Sequence, residues 1–156
     1  MTALVEGAAI PAVDLAGQDG TRIDLQGYVG KPFVLYFYPK DDTTGCTREA
    51  QDFSAARADF EALGVDLLGV SRDTPEKHRK FTAKYHLTVP LASADTDAAL
   101  EAFGVWVEKK LYGKTYMGID RSTFLFAADG TLARIWRKVR VPGHVEQVLA
   151  AVRAIL

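Results

Sequence analysis

The sequence predicts an α/β fold in which a mixed central β-sheet is flanked by helices on both faces, with an N-terminal β-hairpin extension. Three observations carry this. Phe33 to Tyr38 and Val65 to Val70 are short apolar runs without alternation, the pattern of strands buried on both faces. Between them Ala50, Phe53, Ala56, Phe60 and Leu63 recur at three- or four-residue steps, the period of an amphipathic helix. Nearer the carboxyl end, Asp129-Gly130 separates two more strand-like runs, a strong hairpin signal.

Taken in order, Val13 to Leu15 and Arg22 to Leu25 alternate around a Gly17-to-Gly20 turn and predict a peripheral antiparallel hairpin. Gly27, Gly30 and Pro32 mark the loop into the first buried strand, and Gly64 closes the helix after it. Strand, helix and strand then make a βαβ unit with a parallel pair, whose active sites gather at the carboxyl ends of the strands. Ser71, Arg72 and Asp73 emerge at that end and read as a solvated loop. Thr74-Pro75-Glu76 opens a basic helix anchored by Phe81 and Tyr85. Val89 to Ala92 reads as a short edge strand, which Pro90 permits, and Asp95 to Phe103 as a short helix ended by Gly104. Val105 to Asp120 has no clear period and predicts a long loop covering or flanking the active site. Ser122 to Ala127 and Leu132 to Arg137 form the second hairpin, and Pro142 precedes a final helix with Val145, Val148, Leu149, Val152 and Ile155 on one face.

The chemistry is expected where the first buried strand meets its helix. Pro39 stops the strand, Asp41, Asp42 and Thr43 are turn and N-cap residues, and Cys46, the single cysteine, falls in the first helical turn. Unpaired N–H groups and the macrodipole place about half a positive charge there, which favours a thiolate. An isolated thiol has a pKa of ~8.5, which helix N-termini and cations lower. Thr44, Gly45, Thr47 and Arg48 are small or polar, so the sulfur is read as a reactive thiol at a lip rather than a small core residue. Thr43, three residues earlier, either caps the helix or presents its hydroxyl to the sulfur or to what the sulfur attacks. Lys40, Asp41, Asp42 and Arg48 are read as solvated rim residues.

Pro39, Thr43 and Cys46 match the signature of the peroxiredoxins, and Tyr36 to Phe53 resembles their bacterioferritin comigratory protein (PrxQ) branch. The resemblance continues through Gly69-Val70-Ser71, Phe103 to Trp106 and Gly113 to Tyr116 to Phe124-Leu125, and so covers nearly the whole chain. It implies a thioredoxin-like sandwich, in agreement with the order of elements, as a single domain spanning residues 1–156. It also implies a peroxidatic Cys46, a Pro39 that shapes and shields the loop, and a Thr43 that orients substrate. Among ten arginines, position alone selects none. The resemblance selects Arg121, just before the strand Thr123 to Phe126, as the guanidinium that holds thiolate and peroxide. Its permanent charge and rigid fork suit that task. Glu49 resembles the glutamate that orients this arginine, or serves only as a favourable first-turn charge.

Two departures from the branch stand out. Gln51 occupies the position where many members carry a resolving cysteine, Asp97 to Phe103 offers no substitute, and Thr44 replaces a usual proline. The expected function is therefore a one-cysteine thiol peroxidase acting on hydrogen peroxide and organic hydroperoxides. Its Cys46 sulfenic acid is reduced by an external thiol: thioredoxin, glutaredoxin with glutathione, or Cys46 of a second chain. Monomer and homodimer both remain open. A redox sensor or binding module without turnover is the alternative. Dithiol oxidoreductase chemistry lacks its second thiol, because Thr43 stands at that place.

Composition excludes other classes. Nineteen basic and twenty acidic side chains leave no net field for nucleic acid or an anionic membrane. No stretch approaches the ~18 apolar residues of a membrane helix, and Met1 to Ala12 lacks a basic segment before an apolar one. With a single cysteine there is no internal disulfide, and a cytoplasmic protein is expected. His78, His86 and His144 lack metal-clamp spacing and are read as exposed or capping, so neither a metal nor a cofactor is expected.

Overall fold

The computed structural model describes residues 4–156, so the start of the Met1 to Ala12 stretch lies outside the described residues. The chain runs β1 (Asp14–Gly17), β2 (Arg22–Asp24), a 3₁₀ turn (Leu25–Tyr28), β3 (Phe33–Phe37), α1 (Thr44–Ala62), β4 (Asp66–Ser71) and α2 (Pro75–Tyr85). It continues through β5 (Leu91–Ser93), α3 (Asp97–Glu101), β6 (Trp106–Leu111), β7 (Lys114–Ile119), β8 (Ser122–Phe126), β9 (Leu132–Trp136) and α4 (His144–Ile155). Seven strands form a mixed sheet in the order β2-β1-β5-β4-β3-β8-β9. β3, β4 and β5 are parallel, and β8 runs antiparallel to β3.

The two-residue period of β3 distributes its side chains between two cores. Val34, Tyr36 and Tyr38 pack with α1, α2 and α4, whereas Phe33, Leu35 and Phe37 pack with the 3₁₀ turn, α3 and Phe124 of β8. Helices therefore cover both faces, which explains why β3 and β8 read as continuous apolar runs. Phe53 of α1 stacks on Tyr36 at 4.4 Å between ring centroids, fixing the helix that carries Cys46 against the strand that leads to it.

Two expectations change. β5 lies between β1 and β4 rather than at an edge, because the N-terminal hairpin adds to the sheet through β1 and Pro90 stops short of the paired residues. The loop expected over residues 105–120 is a two-stranded hairpin, β6 with β7. Its turn places Tyr112 and Gly113 at φ 51° and 75°, positive values at both central positions of a tight hairpin turn. The hairpin stands outside the main sheet and most of its side chains are exposed or half-buried, so its strands carry no apolar alternation in the sequence. Among the described residues no helix is long and apolar enough to cross a membrane.

Candidate active site

The register of the sheet brings the distant residues together. β3 pairs with β8 so that Phe37 faces Ser122, which sets Arg121 beside the carboxyl end of β3, where the chain turns toward α1. The Arg121 carbonyl accepts from Val139 N–H at 2.9 Å. Its guanidinium then donates through Nη2 to Cys46 Sγ at 3.2 Å and through Nη1 to Glu49 Oε1 at 2.7 Å. One planar cation thus bridges two residues three apart on the same face of α1.

Thr43 is the N-cap of α1, with extended backbone, and the Thr43 carbonyl accepts the first helical hydrogen bond from Thr47 N–H at 2.8 Å. Its side chain does not cap. The hydroxyl donates instead to the Lys40 carbonyl at 2.9 Å, which closes the loop on itself and leaves the oxygen lone pairs to accept from elsewhere. The first-turn N–H groups of α1 thus have no side-chain cap at the helix end beside Cys46. Pro39, half-buried, follows Tyr38, whose N–H makes the last bond toward β4, to Val70 at 3.0 Å.

The sulfur lies deeper than its polar sequence neighbours imply. Cys46 is 2% exposed and packs in the cluster that contains Tyr36, Ala50 and Phe53. The polar residues around it in sequence point outward, while the sulfur points inward to a cation. Glu49 is fully buried, and burial pushes its carboxyl up to about 7 against the opposing pull of Arg121. Burial also works against the Arg121 charge, yet Glu49 and Cys46 hold its pKa above the ordinary arginine value. Burial holds the Lys109 ammonium of β6 below its usual range, and the Arg121 charge pushes the same way.

Other residues depart from the sequence reading too, among them Ser71, expected in a solvated loop but fully buried at the end of β4. Asp41, expected at the solvated rim, is 8% exposed and hydrogen-bonded to Tyr38 and His78. His78 and His144 are buried rather than exposed or capping; only His86 stands exposed, in left-handed conformation at the end of α2. His144 contacts Thr123 Oγ1 through Nε2 at 2.7 Å, and burial, then Arg121, lowers its pKa to about 4. No spacing rule finds these residues, since each becomes buried through a partner 21 to 40 positions away.

The sequence profile of the AhpC/TSA family matches residues 7–135. The chain is 45% identical over 147 residues to peroxiredoxin Bcp of Xanthomonas campestris pv. campestris, covering 94% of this chain and 92% of that protein. It is 46% identical over 147 residues to peroxiredoxin Bcp of Bacillus subtilis, covering 94% of each. The solved structure of the Xanthomonas campestris bacterioferritin comigratory protein, studied for its alkyl peroxide reduction activity, is similar at a TM-score of 0.88. Its sequence identity is 42%, over 96% of this chain and 98% of that one.

Proposed function

The chain belongs to the AhpC/TSA family and is a thiol peroxidase of the peroxiredoxin type, and we propose that Cys46 is its peroxidatic sulfur, served by Arg121, Thr43 and Pro39 in a one-cysteine cycle. The observation that carries this reading is the 3.2 Å contact from Arg121 Nη2 to Cys46 Sγ at the start of α1.

In the first step the Cys46 thiolate attacks the terminal oxygen of a hydroperoxide. An S–O bond forms and the O–O bond breaks. The sulfur is oxidised to a sulfenic acid, and the leaving oxygen departs as water or an alcohol once it has taken a proton. Arg121 compensates charge first on the sulfur and then on the leaving oxygen. Thr43, whose own proton is committed to Lys40, accepts the peroxide O–H and so aligns the O–O bond with the sulfur. First-turn N–H groups of Gly45 and Cys46 bind the same oxygens, and Pro39 keeps water from the sulfenate. Glu49 holds the guanidinium in its plane.

A second thiol is then required. An external thiol attacks the sulfenic sulfur, expelling water and leaving a mixed disulfide, and another thiol releases Cys46 in its reduced form. Glutathione with glutaredoxin, or thioredoxin, supplies these electrons in the cytoplasm, where thiols stay reduced. Direct bridging of two chains would have to bring two equally buried sulfurs within about 2 Å of each other, whereas an external thiol has only one buried sulfur to reach. The chain is thus expected to remain a monomer on non-reducing gels after peroxide.

The test is intact mass after mixing reduced protein with one equivalent of hydrogen peroxide and a sulfenic-acid trap, beside Cys46→Ser. Rapid formation of one adduct on Cys46 alone is the expected result. An adduct no faster than on an unactivated thiol would overturn the assignment, and peroxide consumption ceasing after one equivalent with every thiol supplied would favour the sensor reading.

A further inference from the structure

The loop that carries Pro39 and Thr43 into Cys46 is held by a group of residues that never touch the sulfur. Asp41 turns back into the protein. Its Oδ1 accepts from Tyr38 Oη at 2.6 Å, its Oδ2 lies 2.7 Å from His78 Nδ1, and its N–H donates to Asp73 Oδ2 at 2.8 Å. Asp73 is itself fixed by Ser71 Oγ at 2.7 Å. On the far side of the imidazole, His78 Nε2 lies 2.9 Å from the Ala92 carbonyl of β5. A carbonyl only accepts, so Nε2 is the donor on that side, and Nδ1 faces the Asp41 carboxylate, with Tyr38 Oη 3.3 Å from the same nitrogen. His78 is fully buried, so this ring is a fixed two-ended strut from the sheet to the loop.

A second arm grips the next residue. Asp42 is a non-glycine residue at φ 59°, a left-handed conformation that needs support. Its carboxylate accepts from Lys84 Nζ at 2.8 Å and Tyr85 Oη at 2.6 Å. Both arms come from α2, one from its buried face and one from its exposed end. Asp42 is followed at once by Thr43, whose hydroxyl bonds back to Lys40 within the same loop.

We propose that α2 is a clamp on the active-site loop, with His78 as a positioning residue that sets Thr43 and Cys46 through its contact with Asp41. This rests on the peroxidatic role of Cys46. In-line displacement tolerates little misplacement: shifts of about 1 Å can cost on the order of a hundredfold in rate. A loop held at two consecutive aspartates by one rigid helix satisfies that demand without adding groups to the reaction itself.

The substitutions that discriminate are His78→Asn and His78→Gln. An asparagine amide nitrogen falls near the place of Nδ1 and can still donate to Asp41; a glutamine amide reaches toward the place of Nε2 and Ala92 instead. Lys84→Met with Tyr85→Phe opens the exposed arm and leaves the interior intact. Each protein is mixed with hydrogen peroxide, the rate of the trapped Cys46 adduct is followed by intact mass, and melting temperature is recorded beside it. His78→Gln is expected to slow the adduct on the order of tenfold, His78→Asn to stay close to wild type at a similar melting temperature, and the outer-arm variant to be slowed without loss of stability. Equal rates for His78→Gln and His78→Asn, whether both fast or both slow, would overturn the proposal, because the contact to Asp41 would then not matter. If neither folds, the outer-arm variant decides: a wild-type rate overturns the clamp and a slowed one supports it. A wild-type protein that forms no rapid adduct defeats the peroxidase assignment and the clamp together, a result distinct from failure of the clamp alone.

Discussion

Gly45 and Arg121 meet closely enough that a side chain at residue 45 would press on the guanidinium: a Cβ there would stand 3.1 Å from Arg121 Nη2 and 3.8 Å from its Cζ, so the arginine would have to give by a few tenths of an ångström. Gly45 lies in the first turn of α1, where its backbone is helical and an alanine would ordinarily stabilise by up to about 1 kcal/mol. The residue therefore sets helix propensity against active-site geometry. Gly45→Ala is expected to keep or raise the melting temperature while slowing Cys46 oxidation on the order of tenfold. Stopped-flow peroxide kinetics beside thermal melting checks this; an unchanged rate would mean that the guanidinium moves aside without consequence.

Removing Arg121 separates its two duties. Arg121→Met is expected to lower the rate of sulfenic acid formation by about a hundredfold or more, the scale of losing a charged donor at a reacting oxygen. It also leaves Glu49 fully buried without its cation, an arrangement that costs roughly 3–5 kcal/mol when the remaining group stays charged. Arg121→Met combined with Glu49→Gln should recover most of the stability in urea denaturation and none of the rate. Recovery of the rate would show that Arg121 acts only on the fold.

Two buried groups give stability opposite slopes with pH. Burial raises Glu49 from 4.5 to about 7, so between those values the folded state keeps a proton that the unfolded state has lost, and stability falls by roughly 3 kcal/mol as pH rises through the window. Burial lowers His144 from 6.5 to about 4, so there the unfolded state takes up a proton that the folded state refuses, and stability is lost as pH falls through that window. The two terms oppose one another where the windows overlap. Above the ordinary histidine value only the Glu49 term remains. Chemical denaturation across pH 5 to 8 should therefore show a decline near neutrality that Glu49→Gln removes, and His144→Asn should extend that decline to lower pH. A wild-type decline unchanged in Glu49→Gln would place its origin elsewhere.

Tyr36 of β3 and Tyr38, just past its end, make a paired test of buried hydroxyls. Tyr36 Oη is buried and finds no hydrogen-bond partner among the described residues, whereas Tyr38 Oη donates to Asp41 at 2.6 Å. Tyr36→Phe is expected to be neutral or stabilising, and Tyr38→Phe to cost about 1–3 kcal/mol, because it leaves a buried carboxylate oxygen unsatisfied. Equal effects in thermal or urea denaturation would contradict this assignment of the two hydroxyls.

The sequence by itself determined the elements whose reasons are local. Phe33 to Tyr38 has the length and unbroken apolar character of a buried strand, Pro39 stops it, and the periodic run from Ala50 to Phe60 puts Cys46 in the first turn of a helix. The Pro39, Thr43 and Cys46 spacing carried the family, and with it the expectation of Arg121. Tertiary structure decided what depends on partners far apart in the chain. Registry of β3 against β8 sets Arg121 beside Cys46, the N-terminal hairpin turns β5 into an interior strand, and residues 106 to 119 pair as β6 and β7 without apolar alternation to announce them. The burial of Asp41 and His78 belongs to the same class. A charged residue in a polar turn looks solvated until the fold supplies a buried donor for its carboxylate, and the donor here lies 37 residues away.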